Sequence, residues 1–261
     1  MGPVVLKYEM VKNRGELGID FEKIEGTGAR VTKEFLRRLL KRILERSTCY
    51  YDEIRDHVFC YRERQLHSVI CPSIADITSS FLMENPLTRK PAGEKEYTGS
   101  VDYWIYYKNH SFLMELKHTY FAYSHVDKPP KLIFRKFDRA LNQLANVRKN
   151  ECREQTYGKG LRKIALEVIV FYRDSKDKSK LKGDLKTSDF RTLFRNLLKN
   201  TELGHKSNFH ALWILDKRLI EPFEYKDKNV RGFEIFPAIA FVGKISETLT
   251  RTVAQESKSA H

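Results

Sequence analysis

Apolar positions along the chain keep a helical period in some stretches and a strand period in others. Between Thr32 and Ser47, Phe35, Leu36, Leu39, Leu40, Ile43 and Leu44 recur every three or four residues. Arg37, Arg38, Lys41, Arg42 and Arg46 fall on the opposite face, so the pattern predicts an amphipathic helix with one basic side. The segment before it, 1–30, has Gly2, Pro3, Gly15, Gly18, Gly26 and Gly28 and little periodicity. It reads as an irregular arm with at most a short strand. A second helical pattern spans 50–70 and should end or kink before Pro72, and 74–82 reads as a short third helix. Residues 84–99, with Pro86, Pro91, Gly93 and Gly99, read as a loop.

The period then changes to two. Residues 101–107 and 111–118 alternate as strands, joined at Lys108, Asn109 and His110. A strongly periodic helix follows over 131–150, and the Val, Ile and aromatic content of 162–172 predicts a buried strand. The charged stretch 173–186 reads as a surface loop, and 188–200 as a helix capped by Ser188 or Asp189. Strands at 209–216 and 233–244 complete the pattern. Pro237 cannot donate to a ladder, which places the last strand at an edge or makes it bulged. Helices and strands in this order predict a mixed α/β fold, a central mixed β-sheet flanked by helices. The arm and basic helix (1–48) pack on a core domain (49–246), and a tail (247–261) is expected to be disordered.

The chain has 261 residues, enough to bury a sizeable core, and its 41% hydrophobic content with 16 Phe and 13 Tyr argues for a folded protein. Charge changes the picture more: 48 Lys and Arg against 34 Asp and Glu give a formal net charge of +14. Such a surface attracts polyanions, and nucleic acid is the expected partner. The four cysteines include no Cys-x-x-Cys, and the eight histidines show no metal-ligand spacing, so zinc-ribbon and zinc-protease classes are excluded. The apolar run "IALEVIVFY" is interrupted by Glu167 and too short to span a bilayer. The first ten residues do not read as a signal peptide, and the expectation is a soluble cytoplasmic protein with reduced thiols.

Candidate chemistry concentrates in "GSVDYWIYYKNHSFLMELKH", residues 99–118. Strand alternation sends Phe112, Met114 and Leu116 to one face, and Leu113, Glu115 and Lys117 to the other. A two-residue turn at Lys108–Asn109 sets Asp102 across from Glu115, whereas a turn at Asn109–His110 sets it across from Lys117. Either register brings Asp102 onto the charged face, with directly opposed Cβ atoms about 4.5–5.5 Å apart. Two carboxylates at that range call for a cation between them, and a hard divalent ion such as Mg²⁺ matches oxygen ligands. The competing reading is a polar hairpin face on which Lys117 neutralises one acid.

Gly99-Ser-Val-Asp102 followed by Glu115-Leu-Lys117 resembles the core signature of the PD-(D/E)xK nuclease superfamily, with Val101 where the name-giving proline would stand. The likeness covers roughly Glu63 to Phe171 and implies a restriction-endonuclease-like core with an N-terminal helical extension. It implies an enzyme: a Mg²⁺-dependent phosphodiesterase (Mn²⁺ substituting) with Asp102, Glu115 and Lys117 as catalytic residues. Glu63, inside the stripe formed by Phe59, Leu66 and Ile70, is the candidate fourth, with Glu53, Glu84, Glu94 and Glu96 as rivals. Asp102, Glu115, Glu63 and the carbonyl of Leu116 would ligate the metal. Lys136, Arg139 and Gln143 on the helix after the hairpin would face the phosphates. A restriction or defence-type DNA endonuclease is the expected function, with a homodimer as a candidate assembly. The alternative is an inactive nucleic-acid-binding module of the same fold.

Overall fold

The computed structural model describes residues 4–21, 23–123, 129–181, 186–199, 201–227 and 230–250. Its strands are β1 (Lys7–Val11), β2 (Gly15–Asp20), β3 (Phe81–Arg89), β4 (Tyr97–Tyr107), β5 (His110–Ala122), β6 (Gly160–Ser175), β7 (Phe209–Leu215), β8 (Phe223–Asp227) and β9 (Val230–Thr250). Its helices are α1 (Ala29–Ile54), α2 (Glu63–Ala75), α3 (Lys131–Ala145), α4 (Lys149–Glu154), α5 (Thr187–Lys199) and α6 (Glu202–Lys206). The protein is mixed α/β. Nine strands form one sheet in the order β1-β2-β7-β9-β6-β5-β4-β3, with β8 pairing to β9 off that path. β5 and β6 are parallel, joined through α3 and α4, and the other described pairs are antiparallel.

Helices cover both faces because successive strand residues point to opposite sides. On one face α1 and α2 bury Phe35, Leu39, Ile43 and Ile70 against Phe112, Met114 and Trp213. On the other, α3 and α5 bury Phe137, Phe190 and Phe194 against Leu113, Ile169 and Ala240. Truncating any of these aromatics to alanine would cost about 3–5 kcal/mol. The basic side of α1 is largely occupied within the molecule. Arg38 donates to the Tyr107 hydroxyl at 3.0 Å, Lys41 pairs with Glu9 at 3.0 Å, and Arg46 pairs with Asp76 at 2.7 Å.

Several expected boundaries are corrected. The supposed irregular arm contains the β1–β2 hairpin, and β2 pairs with β7, so the N-terminal segment belongs to the sheet. The helix expected over 50–70 is interrupted: α1 runs to Ile54 and stops at Arg55, which adopts a left-handed conformation (φ 57°) and donates its N–H to the Tyr51 carbonyl. A 3₁₀ turn at Val58–Cys60 then leads into α2. Pro72 lies inside α2, which continues to Ala75. The third helix expected over 74–82 is absent. Phe81–Arg89 instead forms β3, the edge strand, where Pro86 is tolerated, and the expected loop 84–99 shrinks to the connection between β3 and β4. Cys49 is exposed, and Cys152 is the buried one among the four free thiols.

Pro237 bears out the bulge and not the edge. β9 lies between β7 and β6, and its register with β6 shifts between Phe171 and Arg173. The β7 ladder ends at Ala238 and the β8 ladder begins at Glu234, so the missing N–H of Pro237 falls in the gap between them. β9 continues to Thr250, and the tail beyond it lies outside the described residues. Among the described residues, no helix is long and apolar enough to cross a membrane.

Candidate active site

The β4–β5 hairpin turns at Lys108 and Asn109, both at positive φ (45° and 63°), as a two-residue turn of primed type requires. That turn fixes Tyr107 opposite His110 and Tyr103 opposite Met114, so the register is the one that sets Asp102 toward Glu115. The ladder ends at Tyr103. One residue further, the Asp102 carboxylate takes the place of a backbone acceptor: Oδ2 accepts the Leu116 N–H at 2.6 Å. On its other side the β3–β4 register passes over Glu84, which sits at φ 47°. β4 is therefore released from regular pairing on both sides at Asp102.

Three acids from three elements surround one ammonium. Lys117 Nζ lies 3.1 Å from Glu115 Oε1, 3.6 Å from Glu63 Oε1 and 3.8 Å from Asp102 Oδ2. It also donates to the Leu116 carbonyl at 2.6 Å. Glu63 is the first residue of α2, and its second oxygen accepts the His118 N–H at 3.2 Å, which ties the helix start to β5. Glu63 is not sealed in the apolar stripe as its spacing suggested. Its side chain is 33% exposed and that of Asp102 24%, against 2% for Glu115. The cluster thus has a buried floor and an open rim.

The floor holds a residue that the sequence pattern did not announce. Arg89, at the end of β3, donates to the Ser100 carbonyl at 2.6 Å and to Glu115 Oε2 at 3.3 Å. Glu115 is gripped by a cation at each oxygen. Burial first, and the charge of Asp102 second, still push its carboxyl above the usual range, while Lys117 and Arg89 pull the other way. Arg89 lay in the stretch read as a loop, and no spacing signalled it. Glu167 is a second omission with a visible signal, a single charge inside an apolar run. It lies on β6 in register with Lys117 and accepts from the Thr119 hydroxyl at 2.7 Å, while its other oxygen is buried without a hydrogen-bond partner. Burial pushes its carboxyl up to about 8, so it is largely protonated at neutral pH.

The phosphate-facing trio divides. Lys136 reaches the site end of β5, donating to the His118 carbonyl at 2.5 Å. Arg139 and Gln143 open instead on a cleft of about 420 Å³ shared with Tyr97, Arg135 and Asn142. Of the tyrosines near the motif, Tyr103 and Tyr107 are core residues, whereas Tyr97 and Tyr120 are exposed.

Among the described residues, no group of three or more His, Cys, Asp or Glu side chains is arranged as it stands to hold a metal ion. The donor chemistry nevertheless fits a hard cation. Every ligating atom around Lys117 Nζ is oxygen, and the ammonium is itself a cation held by three carboxylates and a carbonyl. No family model, curated protein or solved structure matches the chain.

Proposed function

We propose that the protein is a metal-dependent nuclease hydrolysing phosphodiester bonds, with DNA as the expected substrate and a restriction or defence role as the nearest analogy. The observation that carries this reading is the convergence of Asp102, Glu115 and Glu63 on Lys117, at an opening between strands, in a chain of net charge +14. A purely structural ion pair needs one acid for one base. Here three carboxylates meet two cations, and the surplus negative charge lies on the two part-buried members at the rim. A divalent ion that displaced the Lys117 ammonium would find oxygen ligands and an excess of negative charge already in place.

Asp102, Glu115, Glu63 and the Leu116 carbonyl would hold Mg²⁺ or Mn²⁺. When bound, the ion supplies charge stabilisation at the phosphate and lowers the pKa of a water. The chain's own residues do the rest. The Leu116 N–H fixes one oxygen of Asp102 and leaves the other to the open side. Arg89 anchors Glu115 from beneath, so that its second oxygen keeps its place when Lys117 moves. Lys117, released from the Leu116 carbonyl, turns its ammonium to the incoming phosphate or the attacking water and opposes the growing charge there. Lys136, and Arg139 along α3, set the strand by its backbone.

The inactive binding module remains the second reading, and one observation favours it: the ammonium of Lys117 fills the spot where a cation would have to sit. Plasmid and single-stranded DNA incubated with the full chain in Mg²⁺ or Mn²⁺ separate the two. Cleavage that disappears in Asp102→Ala and Lys117→Ala supports the nuclease. Salt-sensitive binding without cleavage in either metal supports the module.

A further inference from the structure

Beside the acidic cluster, past the start of α2, lies a cavity of about 700 Å³ whose walls are tyrosine rings: Tyr61, Tyr120, Tyr172 and Tyr225. One chain connection places its rim next to the candidate site: Arg62 directly precedes Glu63. Tyr120 follows Lys117 by three positions on β5 and so stands on the opposite face of the strand, the face that α2 covers. The rings are held in place although they face solvent. Tyr120 and Tyr61 are 36% and 41% exposed. Tyr120 donates its hydroxyl to the Tyr61 carbonyl at 2.7 Å, and the Tyr61 hydroxyl donates to Asp56. Tyr120 and Tyr172 stand edge to face at 6.3 Å. Exposed aromatic surface that is fixed in advance loses little freedom when a flat ring stacks on it.

The polar part of the lining narrows the ligand. Asp174 on β6 and Glu234 on β9 are directly opposed in the ladder, and both line the cavity. Neither has an ion-pair partner among the described residues. Burial, and then the charge of Asp174, raise the Glu234 carboxyl above its usual range. Among the described lining residues these two acids outnumber the single cation, Arg62, so the cavity disfavours the backbone of a polyanion. They accept hydrogen bonds from N–H groups on a ring edge.

We propose that this cavity receives an unpaired nucleobase of the substrate strand, adenine, cytosine or guanine, stacked on Tyr120 and with its exocyclic amine on the Asp174–Glu234 pair. This deepens the nuclease reading and rests on it for the identity of the ligand. Thymine and uracil carry a carbonyl in place of that amine and offer only the N3–H between two acceptors, so they are held less well. A base can enter only from a single strand or by leaving its stack, which makes single-stranded or locally opened nucleic acid the substrate class.

Binding of short fluorescent oligo-dA, oligo-dC and oligo-dT to the full chain, by anisotropy without divalent metal, tests the cavity apart from catalysis. The expected order is dA and dC tighter than dT. Tyr120→Ala should weaken all three roughly 10- to 100-fold, the size of one lost stack, while Tyr120→Phe keeps the ring and the affinity. The conservative pair Asp174→Asn with Glu234→Gln should erase the advantage of dA and dC over dT. Equal affinities in the parent, or a preference untouched by the double substitution, overturns the proposal. Cleavage in Mg²⁺ is scored separately. Loss in Asp102→Ala with no effect of Tyr120→Ala on binding keeps the nuclease and removes the base cavity. Base-selective binding lost in Tyr120→Ala, with no cleavage by the parent, does the reverse.

Discussion

Two of the buried polar clusters among the described residues differ in the properties that separate chemistry from architecture. One is the group around Lys117. The other joins Ser207, His210 and Asp20 between β2 and β7: Ser207 Oγ lies 2.7 Å from His210 Nε2, and His210 Nδ1 lies 3.5 Å from Asp20 Oδ2. By residue type the Ser207 group is closer to a catalytic relay, with a hydroxyl, an imidazole and a carboxylate in line. Its surroundings say otherwise. All three residues are almost fully buried, the hydroxyl already donates to the Leu203 carbonyl at 2.6 Å, and the neighbouring Phe209 ring stacks on Phe21 at 5.5 Å. A substrate has no approach. The Lys117 cluster has the less familiar composition, but it has an open rim and more negative than positive charge. Access and unbalanced charge favour the Lys117 cluster as the candidate site, where residue identity alone would favour the other.

This contrast can be broken most decisively at Asp102. Asp102→Ala should lower Mg²⁺-dependent cleavage by at least ~10³-fold. Its melting temperature should change little, because relief of repulsion among neighbouring acids is offset by the loss of the acceptor for the buried Leu116 N–H. A melting point that falls sharply with cleavage unchanged would make the cluster structural. Glu167, at the back of the same site, tests the pH linkage. Its native pKa of about 8 lies above the ordinary glutamate value of 4.5, so its contribution favours folding at low pH, fades as pH rises from about 4.5, and is fully lost above about 8. Glu167→Gln should therefore stabilise the protein above pH 8, by up to about 5 kcal/mol, and flatten the pH dependence of stability. Denaturant unfolding at pH 5 and pH 9 measures this, and an unchanged slope against pH would contradict it.

At the closed cluster the expectation is inverted. His210→Ala should cost about 2 kcal/mol of unfolding free energy by opening a cavity at a fully buried position and removing the contact with Ser207, with cleavage by the remaining folded protein unchanged. Cleavage that falls in proportion to that of Asp102→Ala would erase the distinction between the clusters. The smallest effect belongs to the exposed Arg139. Its replacement by alanine should weaken DNA binding a few-fold and reduce the salt slope by about one phosphate contact, read from anisotropy at two salt concentrations.

Local pattern was enough where a single element satisfies its own rules. The helical stripe of α1, the alternation of "SFLMELKH" and the hairpin that joins it to β4 carry period and turn chemistry in the sequence itself. The sorting of Phe112, Met114 and Leu116 away from Leu113, Glu115 and Lys117 matches the two core clusters. β3 was not legible, because its inward positions include Asn85 and Arg89, polar residues that face Gln155 and Glu115 and hide the alternation. The stop of α1 was hidden for a related reason. Arg55 takes a left-handed conformation without the glycine or asparagine that usually announces one.

What the sequence determined by itself is the α/β class, the charged face of one strand, and the choice between two registers for Asp102, since these follow from the two-residue period of a strand and the geometry of one tight turn. Tertiary structure decided the rest. It chose the register, brought Glu63 from a helix start and Arg89 from an edge strand to the same few ångströms, and left one polar cluster open while closing the other. Those outcomes depend on which distant surfaces share the sheet, and burial is a property of that assembly, not of any segment within it.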